Sequence, residues 1–261
     1  MRATLEQKKN RLFVVLSSIF LTNALLAEMI GTKIFSAERT LGLSPAHLNI
    51  LGFEMDFNLT AGVLIWPIVF VTTDLINEYF GKPGVKRISY LTAILIAYSF
   101  VVIFFSIELP PAQWWLDSNG VDLEGNQFNI DYAFSKIFGQ GLRIIGGSLT
   151  AFLIGQLVDV FVFQKLRHIT GTRMLWLRAT GSTLVSQFVD SFVVLFIAFS
   201  GVFTARQIIA IGITNYIYKF LVAIALTPVI YLGHGLIDRY LGKENALKIS
   251  EEAAQKSKGF L

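Results

Sequence analysis

LRIIGGSLTAFLIGQLVDVFVFQ, residues 142–164, opens with one arginine and then runs through side chains that are almost all hydrocarbon, interrupted most sharply at Gln156 and Asp159. A helix rises about 1.5 Å per residue, so about 20 residues cross the roughly 30 Å hydrocarbon core of a bilayer. Comparable runs lie at 12–32, 61–80, 88–107, 179–202 and 207–232. None alternates with the period of two that marks a membrane barrel, and backbone polar groups in lipid must find partners within their own segment. The expected fold is therefore an all-α integral membrane protein, a single domain over 1–261 with six transmembrane helices and a tail over 240–261. Composition agrees: the 261 residues are 54% hydrophobic and 15% charged, with mean hydropathy +0.60, whereas soluble domains are about 25% charged.

Basic residues set the orientation. Arg2, Lys8, Lys9 and Arg11 precede the first run, and Lys82, Lys86 and Arg87 separate the second from the third. Lys165, Arg167, Arg173 and Arg178 separate the fourth from the fifth, and Arg239, Lys243, Lys248, Lys256 and Lys258 follow the last. The alternate loops hold only Lys33, Arg39, Lys136, Arg143 and Arg206. Both termini are expected in the cytoplasm. The basic residues are dispersed over short loops, so they imply no nucleic-acid partner. The first run is too long for a signal-peptide core, carries Asn23 and Glu28 and ends at no small-residue cleavage site, so it is expected to stay in the mature protein. Absence of cysteine excludes disulfides and thiolate chemistry. There is no GxxxxGK[ST] phosphate loop.

The alternate loops are the longer ones. Residues 33–60 read as an outer loop with Pro45. In 108–141, Pro110 and Pro111 stop the third helix, Trp114 and Trp115 suit the headgroup boundary, and Ile130, Ala133, Phe134 and Ile137 fall at helical spacing. The last pattern predicts a short amphipathic helix at the outer face.

The chemistry lies in polar residues inside the runs. Gln156/Asp159 and Gln187/Asp190 repeat one Q-x-x-D pattern in the fourth and fifth helices, and residues three apart share a helix face. Gly147, Ala151, Gly155 and Asp159 form one stripe of small residues ending in an acid; Ser182, Ser186 and Asp190 form another. Such stripes let membrane helices approach closely, within the chain or across a homodimer. Asp74, Asn77 and Glu78 lie in the second helix, Asn215, Tyr216 and Lys219 in the sixth. An Asp facing lipid is disfavoured by about 2.5–3.5 kcal/mol, so these acids should meet a cavity or a partner. Gln156, Asp159, Gln187, Asp190, Asp74, Asn77, Lys219 and Tyr216 are the candidate ligand contacts; Glu28 and Glu78 are candidates for gating or proton coupling. Glu78 also suits a boundary pair with Lys82. Phe161, Phe188, Phe192, Trp66, Tyr79 and Tyr216 are candidates to stack on a flat ligand.

The same stretches resemble the queuosine precursor transporter family, also described as vitamin uptake transporters. The resemblance is carried by TTDLINEYFGKPGVKR (72–87), the doubled Q-x-x-D, LWLRATGSTLVSQFVD (175–190) and NYIYKFLVAIALTPVIY (215–231). Ala179 departs from it, standing where many members carry Asn. The resemblance implies uptake of the 7-cyano and 7-aminomethyl 7-deazaguanine precursors of the tRNA nucleoside queuosine across the bacterial inner membrane. It also implies a fold similar to the substrate-binding subunits of energy-coupling-factor transporters, and no cofactor or metal. A deazaguanine edge carries N1–H and amine donors beside the O6 acceptor, which a carboxylate and an amide can read together. Alternatives are a permease for another nucleobase or vitamin and an intramembrane aspartate enzyme, although no GxGD, HExxH or GxSxG signature is present. Coupling to protons, simple facilitation and dependence on a separate ATPase all fit the sequence.

Overall fold

The computed structural model describes residues 4–171 and 173–258; Arg2, used above for orientation, lies outside them. The chain runs α1 (Leu5–Ile30), β1 (Ile34–Ser36), α2 (Ala37–Thr40), β2 (Leu48–Ile50), β3 (Phe53–Met55) and β4 (Asn58–Thr60). A 3-10 turn over Ala61–Leu64 leads to α3 (Trp66–Ile107), α4 (Gln113–Ser118), α5 (Ile130–Phe138) and α6 (Leu142–Thr170). It closes with α7 (Leu175–Phe199), α8 (Ala205–Ala225), α9 (Thr227–Leu241) and α10 (Lys243–Lys258). Five helical stretches are long and apolar enough to cross a membrane: α1, α3, Ile130–Thr170, α7 and α8. The protein is thus an all-α membrane protein in its main architecture.

Boundaries differ from the sequence reading in instructive ways. The runs expected at 61–80 and 88–107 form one helical element, α3, broken at Gly81 (φ 65, ψ −169). Residues expected to form a loop around Lys82, Lys86 and Arg87 are helical, because Pro83 stands at the start of the resumed helix, where its missing N–H matters least. The run expected over 207–232 divides at Leu226, and Pro228 opens α9. The tail is not a loose extension: α10 packs on α3, and the backbone N–H of Lys82 donates to Ser257 Oγ at 3.0 Å.

Between α1 and α3 the expected loop is ordered. β1 pairs with β4 and β2 with β3, both antiparallel, and Leu51-Gly52 turns the inner hairpin with positive φ at both residues, as a tight primed turn requires. Glu38 accepts from the Phe57 N–H at 2.7 Å and from Ser36 Oγ at 2.9 Å. The amphipathic segment expected around 130–137 is α5, with the Asn129 side chain accepting from the Tyr132 N–H.

Small residues decide how the helices approach. A Cβ on Gly147 would lie 3.3 Å from Val194 O, and one on Gly155 3.6 Å from Asp190 Cβ. The stripes therefore serve α6–α7 packing inside the chain. At Gly62 a Cβ would lie 2.6 Å from the carbonyl oxygen of Ala27, which is backbone of the last turn of α1 and cannot swing away as a side chain would. Gly62→Ala is expected to destabilise the protein by about 1–3 kcal/mol, as overpacking does, seen as a lower melting temperature in detergent; an unchanged value would show that the turn shifts freely.

Candidate functional site

α1, α3, α6, α7 and α8 enclose a cavity of about 300 Å³, at the lower end of the about 300–1,000 Å³ range of small-molecule sites. One wall is aromatic. Trp66 at the head of α3 stacks on Phe70 one turn later, with centroids 5.9 Å apart and an interplanar angle of 15°, and it meets Phe152 of α6 at 6.0 Å. Polar side chains line it as well: Gln156 and Asp159 from α6, Gln187 and Asp190 from α7, Asn215 and Lys219 from α8. At the loop end, Asn58, Thr60 and Gln140 complete the lining with Glu28.

The polar wall is only partly satisfied from within. Thr73 Oγ1 donates to Gln156 Oε1 at 3.3 Å and Ser186 Oγ to Asp159 Oδ1 at 3.2 Å. Lys219 Nζ lies 2.6 Å from Asp190 Oδ2. Ser148 Oγ donates to Glu28 Oε1 at 2.6 Å, and the Gln140 side chain donates to the Glu28 carbonyl. Asp159 Oδ2 and Gln187 Oε1 are buried acceptors without a partner. Since buried acceptors are nearly always satisfied, these two are open to donors from within the cavity.

Of the candidates from sequence, Glu28, Gln156, Asp159, Gln187, Asp190 and Lys219 converge on the cavity. The other four stand apart from its wall. Tyr216 turns toward α7, donating to Leu184 O at 3.2 Å and meeting Phe188 edge-on. Asp74 and Asn77 are buried behind the wall, and Gln164 donates to Asn77 Oδ1 at 2.6 Å. Glu78 is clamped by Arg178, whose Nε and Nη2 donate at 3.1 and 2.9 Å; Ser250 Oγ of α10 donates at 2.8 Å, and the Arg167 guanidinium forms an ion pair at 3.5 Å. Those partners, rather than a boundary pairing alone, occupy its carboxylate. Among the stacking candidates, only Trp66 reaches the cavity: Phe161 and Phe188 are half exposed on the outside of the bundle, and Tyr79 is bound to Asp238.

Tyr218, Phe70, Phe152 and Thr73 line the cavity and were not singled out by sequence. Tyr218 was findable, since 215, 218, 219 and 222 follow the helix period and place it, not Tyr216, beside Lys219.

Residues 60–233 match the family model described as "Putative vitamin uptake transporter". The chain is 32% identical over 196 residues to the "Probable queuosine precursor transporter" of Bacillus subtilis (strain 168), covering 74% of this chain and 80% of that protein. It is 31% identical over 216 residues to the "Queuosine precursor transporter" of Escherichia coli (strain K12), covering 80% and 85%. No solved structure matches the chain significantly, so the expected likeness to energy-coupling-factor subunits draws no support from that side. The matched region holds α3, α6, α7 and α8 and with them most of the cavity wall; the chain belongs to this family of vitamin uptake transporters, which are transporters rather than enzymes.

Proposed function

We propose that the protein imports queuosine precursors, the 7-cyano and 7-aminomethyl 7-deazaguanines, into the bacterial cytoplasm across the inner membrane. The observation that carries this reading is one cavity that brings three aromatic rings together with two buried acceptors without donors, Asp159 Oδ2 and Gln187 Oε1. A deazaguanine edge supplies N–H donors for both, while its ring plane suits Trp66, Phe70 and Phe152. Gln156 completes the edge. Glu28, with one oxygen taken by Ser148, is placed to meet the aminomethyl cation at the mouth.

The topology proposed with it has six crossings and both termini in the cytoplasm. A straight helix of the 42 residues of α3 would measure about 63 Å, twice the bilayer core. Its two ends instead lie near one another's neighbours. Gly62, just before α3, abuts Ala27, while Ile107 at its far end abuts Gly139, next to the Gln140 that bonds Glu28. A reversal at Gly81 supports two crossings within α3. The opposite end of the bundle collects basic residues: Lys8 donates to Tyr240 O, Lys9 pairs with Glu252, and Arg167 reaches Ser250, as the cytoplasmic side should.

Uptake of labelled precursor by cells unable to synthesise it tests the reading. Each lost bidentate base contact should lower affinity about 5- to 150-fold. Asp159→Ala and Gln187→Ala are each expected to reduce uptake within that range at normal membrane levels, and guanine or vitamins should compete poorly. Wild-type uptake in both variants would refute the assignment.

A further inference from the structure

Asp74 is 2% exposed, and neither of its carboxylate oxygens has a hydrogen-bond partner. It lies between Thr73, which bonds Gln156 in the cavity wall, and Asn77, which bonds Gln164, so α3 meets α6 along the stretch of α6 that holds Asp159, whose Oδ2 is likewise unpartnered. Asn77 Nδ2 and Gln164 Oε1, one turn further from the cavity, are also buried without partners. The polar chain thus continues past the ligand wall toward the basic end of the bundle.

Among the described residues, the arginines packed around this stretch of α3 are already engaged. Arg178 on α7 and Arg167 on α6 are both bound to Glu78, and Arg178 also donates to the carbonyls of Gly171 and Arg173. Where α9 meets α3, His234 and Asp238 pair with each other at 3.2 Å, and Tyr79 donates to Asp238. Toward α1, α3 buries apolar residues, Leu12, Leu16 and Phe20 among them. Two carboxylates in a dry site cannot both stay ionised without a compensating charge. A hard metal ion would call for many oxygens, and among the described residues no three His, Asp or Glu side chains converge as a metal-ligand set. A proton needs only the pair.

We propose that the Asp74–Asp159 pair takes up a transported proton, making the protein a substrate–proton symporter. The pair keeps one proton throughout; a second enters with the substrate through the cavity and makes the pair neutral while Asp159 Oδ2 accepts the ligand's N–H. It leaves Asp74 on the side of Asn77 and Gln164 when the cavity opens to the cytoplasm. No covalent bond changes; one proton crosses per substrate.

This rests on the import reading, so the experiment separates the two. Purified protein in liposomes is assayed with labelled 7-cyano-7-deazaguanine, chosen because its side group carries no charge. Counterflow without any ion gradient reports transport itself; its absence in the wild type would refute the import reading. Accumulation under an inward proton gradient reports coupling, and one proton per substrate supports about tenfold accumulation for each pH unit. Asp74→Asn is expected to keep counterflow and lose this accumulation, while Asp74→Glu, which restores a titratable group, keeps both. The symport proposal is overturned by a wild type that exchanges but ignores the proton gradient or follows a sodium gradient. It is equally overturned by an Asp74→Asn variant that accumulates normally or loses both readouts.

Discussion

Arg178→Ala lowers the stability of the folded protein by about 3–5 kcal/mol, the range for breaking a buried ion pair from one side. Arg178 is 2% exposed and Glu78 3%, so neither charge recovers hydration when the other is removed. Every part of the guanidinium is employed: Nε and Nη2 on Glu78, Nη1 on the carbonyls of Gly171 and Arg173 between α6 and α7. Removing it also orphans those carbonyls. Arg178→Lys, a point charge that cannot span both sets of acceptors, should fall between. The check is the melting temperature of the detergent-solubilised protein alongside its membrane yield. A double variant, Glu78→Leu with Arg178→Met, should recover part of the loss, because a buried pair replaced by apolar groups of similar size is often neutral. Wild-type melting of Arg178→Ala would show that the cluster contributes nothing to stability.

Gly81→Ala has the second large effect, and it acts on the other half of the same junction. With φ 65 and ψ −169, Gly81 occupies backbone space that is essentially reserved for glycine, and a side chain there costs about 1–3 kcal/mol from the backbone alone. The new Cβ would also stand 2.6 Å from the carbonyl oxygen of Ala253 and 2.5 Å from Ser257 Oγ. The serine hydroxyl can rotate; the carbonyl belongs to α10 and cannot move without the helix. Gly81→Ala is therefore expected to undock α10 as well as to lower the melting temperature, and limited proteolysis from the basic face should cut between α9 and α10 faster than in the wild type. Unchanged cleavage would mean that α10 follows the displaced backbone.

How far the sequence discloses these features depends on how local their cause is. The Q-x-x-D pairs were legible because the helix period alone aligns Gln156 with Asp159, and the run of Gly147, Ala151 and Gly155 announces a close neighbour. Which neighbour was legible too, since a short connection forces α6 and α7 side by side. The aromatic wall was not. With 23 Phe in the chain, nothing local separates Phe70 and Phe152, which face the cavity, from Phe161 and Phe188, which face outward. Tyr216 and Tyr218 are two residues apart and point to different sides, and an error of one position in helical phase exchanges them. The break at Gly81 hid behind Lys82, Pro83 and Gly84, a combination that reads as a loop. Only the tertiary approach of α10 shows that a single residue makes the turn. Glu78 illustrates the last limit: its nearest basic residue in sequence is Lys82, but its tightest partner comes from α7.

That separation has a consequence for biogenesis. Glu78 and Arg178 are 100 residues apart, and at about 5–20 residues per second the ribosome needs roughly 5–20 s to make the second after the first. Throughout that interval the nascent segment around Gly81 must be held by the insertion machinery, or must enter lipid with its acid neutralised. The charge clamp that finishes the molecule is thus also a timer: the first half of the chain stays incomplete until the translocon delivers the second.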